Sequence, residues 1–385
     1  MNRRHFMEQF AHTGMMLGLL SPTVFSCSGS GGQSEKTDNS PGMDDIFLSE
    51  SDMREIQKLR DFIPPKIFDV HTHLYDTAYL PNLNRNDAIF KEFGPVTGMN
   101  EYMRYQNPLY PGLERLRLNV VARPDASMSD RSNGNRQKCN DFLVSHLEKY
   151  PDHVGETFVL PDDTVADIKK LLIHPNIRGF KCYHLCADRQ PAWHAEIGEY
   201  LPESAWQVAD ENGFCITLHM VKDHALSDPG NFEYICRMSK KYPSAKLILA
   251  HAARGFAAWT VLDSVAGLAD IPNIYFDVSA VCEPMPIFAI LKAAGTKRVL
   301  WGSDFPISMM RGKCISIADS FLWLYKEQLH LMESKTAFSA NLVGVENLVA
   351  LNQACQMLDI DRNGVEDIFY NNAMQMFHLT DTSKA

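Results

Sequence analysis

Lys66-Ile67-Phe68-Asp69-Val70-His71-Thr72-His73 is the stretch that decides the fold of this chain. Lys66 to Val70 has the apolar character of a buried strand, and residues two apart in a strand project to the same side. His71 and His73 therefore send two imidazoles into one space, as neutral nitrogen ligands do when they grip a divalent metal. A lone His-x-His pair is weak. It gains strength from four segments further along the chain, in order: Gly179-Phe180-Lys181, Ile216-Thr217-Leu218-His219, Leu247-Ile248-Leu249-Ala250-His251 and Val299-Leu300-Trp301-Gly302-Ser303-Asp304. Each polar residue closes a short apolar run, and the intervals from Lys181 onward suit repeated strand–loop–helix–loop units. Polar groups at the carboxyl ends of successive strands are the active-site pattern of an α/β (β/α)8 TIM barrel.

The expected strands are Lys66–His71, Leu118–Ala122, Val154–Leu160, Ile177–Lys181, Phe214–His219, Lys246–His251, Ile274–Val278 and Arg298–Trp301. Helices are expected over Asp44–Arg60, Glu203–Glu211 and Asn231–Lys241, the last ended by Pro243. Long loops follow strand one (Leu74 to Arg115) and strand four (Tyr183 to Pro202); structureless runs of that length inside a domain are usually functional. Cys314 to Leu379 is expected to be mostly helical and to close the barrel from outside.

This ordered set resembles the amidohydrolase superfamily of metal-dependent hydrolases, and within it amidohydrolase family 2, which also holds non-oxidative decarboxylases and lactonases. The resemblance runs from about Lys66 to about Leu379. It rests on Asp69-Val70-His71-Thr72-His73, Leu249-Ala250-His251-Ala252-Ala253-Arg254-Gly255, Gly302-Ser303-Asp304-Phe305-Pro306 and Tyr370-Asn371-Asn372-Ala373. Together these segments specify the fold and the metal centre, not the substrate.

The resemblance implies a ligand set of His71, His73, His219 and Asp304, three nitrogens and a carboxylate that leave a position open for water. A metal in such a site lowers the pKa of bound water toward neutrality. Asp304 resembles the superfamily aspartate that touches the metal and also takes the proton of that water, passing it to the leaving group. His251 would bind a second metal or polarise the substrate carbonyl. Lys181 is ambiguous: some superfamily members carry a carboxylated lysine on strand four that bridges two ions, whereas an uncarboxylated lysine would repel a metal and hold a substrate carboxylate. One ion is expected, two if Lys181 is carboxylated, with zinc favoured by the donor set and manganese as the alternative. Arg254 sits where a loop aims it at an acidic substrate group. His184, Trp193, His194 and Glu283 lie on top-face loops able to shape a pocket, as do His224 and Asp228. Cys182 and Cys186 lack the spacing of a metal knuckle, and the outer-helix residues Glu346 to Asn352 and His378 carry no catalytic weight.

The expected activity is hydrolysis of a carbon–nitrogen or carbon–oxygen bond in a small molecule. The alternative inside the family is decarboxylation or lactone opening on a carboxylated substrate; outside it, a non-catalytic ligand-binding lipoprotein. A barrel with a leader uses all of the 385 residues, of which 45% are hydrophobic. A net charge of −10 argues against nucleic acid or an anionic lipid surface as the main partner. No internal repeat is visible.

Residues 1–27 read as an export leader. Asn2-Arg3-Arg4-His5-Phe6-Met7 resembles a twin-arginine signal, Thr13 to Leu20 is weakly apolar, and Val24-Phe25-Ser26-Cys27 resembles a lipoprotein processing site, although Phe25 is bulky for its position. Residues 28–62 form a flexible tether and the short helix, and 63–385 the barrel with its C-terminal helices. The expectation is a bacterial lipoprotein, periplasmic or at the cell surface, held to the membrane only by a lipid on Cys27. No stretch is apolar over the roughly 18–20 residues a spanning helix needs. Cys182, Cys215 and Cys282 sit in or beside apolar runs, so most of the nine cysteines are expected to be unpaired.

Overall fold

Eight parallel strands and one short antiparallel strand build the main sheet. The computed structural model describes residues 48–83, 93–329 and 339–380; Cys27 and the leader lie outside these. In chain order the strands are β1 (Lys66–Asp76), β2 (Val96–Thr97), β3 (Arg115–Ala122), β4 (Val154–Phe158), β5 (Ile177–Cys182), β6 (Cys215–Leu218), β7 (Lys246–Leu249), β8 (Ile274–Asp277) and β9 (Val299–Leu300). Their spatial order is β2-β1-β3-β4-β5-β6-β7-β8-β9. The two ends of the parallel set meet: Val70 N–H donates to Trp301 O (3.0 Å), Asp304 N–H to His71 O (2.8 Å) and His73 N–H to Phe305 O (2.8 Å). The curled sheet is consistent with a TIM barrel.

Burial explains why these segments are strands. Every residue of β4, β6 and β9 is buried, as expected where a parallel sheet is covered on both faces. The helices follow local signals. Glu203–Asn212 buries Ala205, Trp206, Val208 and Ala209 and ends at Gly213, whose φ of +65° suits a residue without a Cβ. Pro229–Lys241 starts behind Asp228, whose carboxylate accepts from Asn231 N–H, with proline in the first turn. The described part of the first expected helix is Glu50–Lys58, opened by a Ser49/Asp52 capping box. After β1 the chain forms a short helix, Met99–Tyr105, before it reaches β3.

The expectation of a mostly helical region from Cys314 to Leu379 needs correction at its start. Gly312–Ile317 and Ser320–Tyr325 pair as an antiparallel hairpin, β10 and β11, before the helix Val343–Met357. The cause is local: Phe321-Leu322-Trp323-Leu324-Tyr325 is rich in aromatics, and buried Cys314 alternates with half-buried neighbours, both strand rather than helix habits. The eight described cysteines are all free, seven of them buried. Among the described residues no helix is long and apolar enough to cross a membrane.

Candidate metal centre and active site

The second half of β1, the carboxyl ends of β6, β7 and β8 and the segment after β9 bring the polar residues together. His71 and His73 do share one side of β1, with their Nε2 atoms 3.2 Å apart. Asp304 Oδ1 lies 3.4 Å from His73 Nε2 and 3.8 Å from His71 Nε2. His71, His251 and Asp304 offer ligand atoms that all lie within 4.8 Å of one another. His219 joins through ring contact, its centroid 5.0 Å from that of His251.

Why do these side chains converge? Asp69, in the middle of β1, is fully buried and accepts from His71 N–H (3.1 Å), Ser303 N–H (2.8 Å) and Tyr102 O–H (2.7 Å). One carboxylate thus ties the histidine strand to the segment carrying Asp304. Gly302 allows the close approach, because a Cβ there would lie 3.0 Å from His71 Cβ. Asp304 has φ +57°, a left-handed conformation that aspartate tolerates better than most residues. After β7, His251, Ala252, Ala253 and Arg254 form a left-handed turn with φ between 52° and 58°. Such backbone costs about 1–2 kcal/mol per non-glycine residue, so the surroundings must hold it.

The hydrogen bonds of the histidines fix their tautomers. His73 Nδ1 is 3.2 Å from Val121 O, His251 Nδ1 is 3.1 Å from Ser279 O, and His71 Nδ1 is 3.1 Å from Asp277 Oδ2. A carbonyl or carboxylate oxygen only accepts, which assigns the ring proton to Nδ1 in each case and leaves Nε2 with its lone pair. Nitrogen lone pairs held this close beside a carboxylate fit a divalent cation. Burial holds the His73 imidazole neutral, its pKa pushed down to about 3, and also lowers those of His219 and His251.

Lys181, on β5, is fully buried and its Nζ has no hydrogen-bond partner among the described residues. Burial lowers its pKa while Glu156, on the neighbouring strand, opposes that shift. Arg254 is buried, donates from Nη1 to Lys222 O (3.0 Å), and lies between the rings of Trp193 (4.2 Å to the centroid) and Phe321 (5.0 Å). A chain of ring contacts runs from Arg254 to the histidines: Phe321 meets Phe256 at 5.2 Å and Phe256 meets His251 at 5.4 Å. On the other side Trp193 meets His184, and His184 meets His219, both at 5.9 Å. His184 and Trp193 therefore do border the site.

Other expected loop residues serve the fold. Glu283 accepts from Ser316 N–H and Oγ on the hairpin, Asp228 caps a helix and pairs with Lys222, and His224 packs edge-on against Trp259. His194 is exposed. Two residues escaped the sequence analysis: Asp277 and Ser279, which touch the rings of His71 and His251. Only the position of Asp277 at the end of an expected strand signalled it.

A family model described as Amidohydrolase matches residues 68–379 of this chain. The chain belongs to the amidohydrolase family. It is an enzyme, and a metal-dependent hydrolase is the activity its family supports. The L-fucono-1,5-lactonase of Burkholderia ambifaria is 23% identical over 265 residues, covering 63% of this chain and 81% of that protein. An amidohydrolase from Burkholderia multivorans, solved with bound zinc, is 14% identical with a TM-score of 0.52, over 82% of this chain and all (100%) of that one. A dihydroxybenzoic acid decarboxylase from a Polaromonas species, solved with manganese and 2-nitroresorcinol, is 13% identical with a TM-score of 0.51, over 82% of this chain and 97% of that one. These structural likenesses speak to the fold.

Proposed function

We propose that this amidohydrolase opens a carbon–oxygen or carbon–nitrogen bond of a small anionic molecule by hydrolysis, with Asp304 as proton acceptor and donor. The observation that carries the proposal is the convergence of His71, His73, His251 and Asp304, with each imidazole tied at Nδ1. His71, His73 and Asp304, with His219 or His251 as the third nitrogen, would hold one divalent ion; zinc suits three nitrogens and a carboxylate, and manganese is the alternative. Bound there, the ion would supply Lewis-acid polarisation and a water of lowered pKa. The residues do the rest. Asp304, ionised and next to the histidines, takes a proton from the attacking water and returns it to the leaving group. His251, with its proton on Nδ1, presents a lone pair at Nε2, which favours a ligand or acceptor role over donation to a substrate carbonyl. Lys181 and Arg254 are the cations available to a substrate carboxylate, and the rings of Trp193, Phe256 and Phe321 supply flat apolar walls.

Lactone opening is one form of this reaction, and the likeness to a sugar lactonase favours testing it first. Decarboxylation of an aromatic acid is the second reading, favoured by the aromatic walls around Arg254. From the leader, we further propose export and a lipid anchor on Cys27. A panel of lactones, esters, amides and hydroxylated benzoic acids, followed by acid release and by carbon dioxide release, separates the reactions. Asp304→Asn should keep part of the metal but lose about 10²–10⁴-fold in turnover; near-normal turnover would remove Asp304 from the proton path.

A further inference from the structure

Asp277 ends β8 with its side chain wholly buried and its two oxygens divided between two histidines. Oδ2 lies 3.1 Å from His71 Nδ1. Oδ1 accepts from His251 N–H (3.2 Å), from Ser279 N–H (3.0 Å) and from the Ser279 hydroxyl. That hydroxyl in turn lies 3.2 Å from His71 Nδ1 and 3.0 Å from His251 Nδ1. One carboxylate and one hydroxyl therefore span the rings of His71 in β1 and His251 just after β7. The His251 N–H that Asp277 holds is the first of the left-handed turn, whose other end is closed by Gly255 N–H on His251 O (2.7 Å).

We propose that Asp277, with Ser279 as its bridge, is a positioning residue that sets the tautomer of His71 and the placement of His251, and so sets the affinity of the centre for its divalent ion. This rests on the metal-centre reading above. Since the carboxylate only accepts, His71 keeps its proton on Nδ1 and directs the Nε2 lone pair toward His73 and Asp304. Partners behind a metal-binding histidine typically alter affinity by about 10–100-fold when removed. A purely structural role could be filled by an amide. In Asp277→Asn the amide oxygen can still take the two backbone N–H groups, but the NH2 group then faces His71 Nδ1. That donor favours the tautomer with the proton on Nε2, where it blocks ligation.

The experiment is competition for zinc against a chromophoric chelator, using metal-free wild type, Asp277→Asn and Ser279→Ala, with thermal unfolding of each metal-free protein. Asp277→Asn is expected to unfold within a few degrees of wild type yet bind zinc about 10–100-fold more weakly, and cobalt loaded in excess should show an altered visible spectrum. Ser279→Ala is expected to lose severalfold in affinity with an unchanged unfolding temperature. Wild-type affinity in Asp277→Asn, with wild type itself binding zinc, overturns the positioning role and leaves the metal centre standing. Failure of wild type to bind zinc overturns the metal centre instead. If Asp277→Asn does not fold, Ser279→Ala decides: unchanged affinity there refutes the bridge and the proposal with it.

Discussion

Replacing Asp69 by alanine should damage fold and site together, and the size of the damage can be worked from its contacts. The carboxylate accepts from His71 N–H at 3.1 Å, Ser303 N–H at 2.8 Å and Tyr102 O–H at 2.7 Å, and all four residues are buried. An orphaned buried donor costs about 1–3 kcal/mol. Three of them would cost roughly 3–9 kcal/mol, but part is returned because burial already disfavours this carboxylate, raising its pKa. We expect a net loss of about 3–5 kcal/mol, a large share of the roughly 5–15 kcal/mol that stabilises a typical native protein. Asp69→Asn keeps an oxygen for the two backbone N–H groups, and the Tyr102 hydroxyl can turn to accept, so its loss should be about 1–2 kcal/mol. Urea unfolding of the metal-free proteins, followed by tryptophan fluorescence, measures both. Asp69→Ala within about 0.5 kcal/mol of wild type, or Asn as costly as Ala, would falsify the claim that this carboxylate ties β1 to the Asp304 segment.

Two further outcomes are expected. His153 is buried, accepts from Leu118 N–H at its Nδ1 (3.0 Å), and burial pushes its pKa down to about 4 from 6.5. The unfolded chain takes up a proton that the folded one refuses, so stability falls as pH drops from 6.5 to about 4, by as much as about 3 kcal/mol. His153→Asn retains an acceptor without the titration and should flatten that loss, as paired unfolding curves at pH 7 and pH 4.5 would show; identical slopes contradict the assignment. Cys27→Ala should release a folded protein from the membrane fraction, and continued membrane retention would refute the lipid anchor.

Much of the site was legible because each polar residue ends an apolar run. Lys181, His219, His251 and Asp304 stood out by that pattern and His71 and His73 by the two-residue period of a strand, while their roles came from the resemblance to the amidohydrolases. The carboxylates behind them were not legible. Asp69 and Asp277 look in sequence like any acid in a strand, and only the sheet's closure reveals which donors they face. The left-handed turn at His251–Arg254 contains no glycine before Gly255 and so gave no signal. The hairpin at Gly312–Tyr325 was hidden by the expectation of outer helices, although its aromatic run marks a strand.

Metal analysis of the purified protein tests the central claim most directly. Three imidazoles with Nε2 free and one carboxylate should retain about one transition-metal ion per chain, zinc first. About two ions would point to a carboxylated Lys181 bridging a second site. A content near zero that neither zinc nor manganese restores would contradict the metal centre.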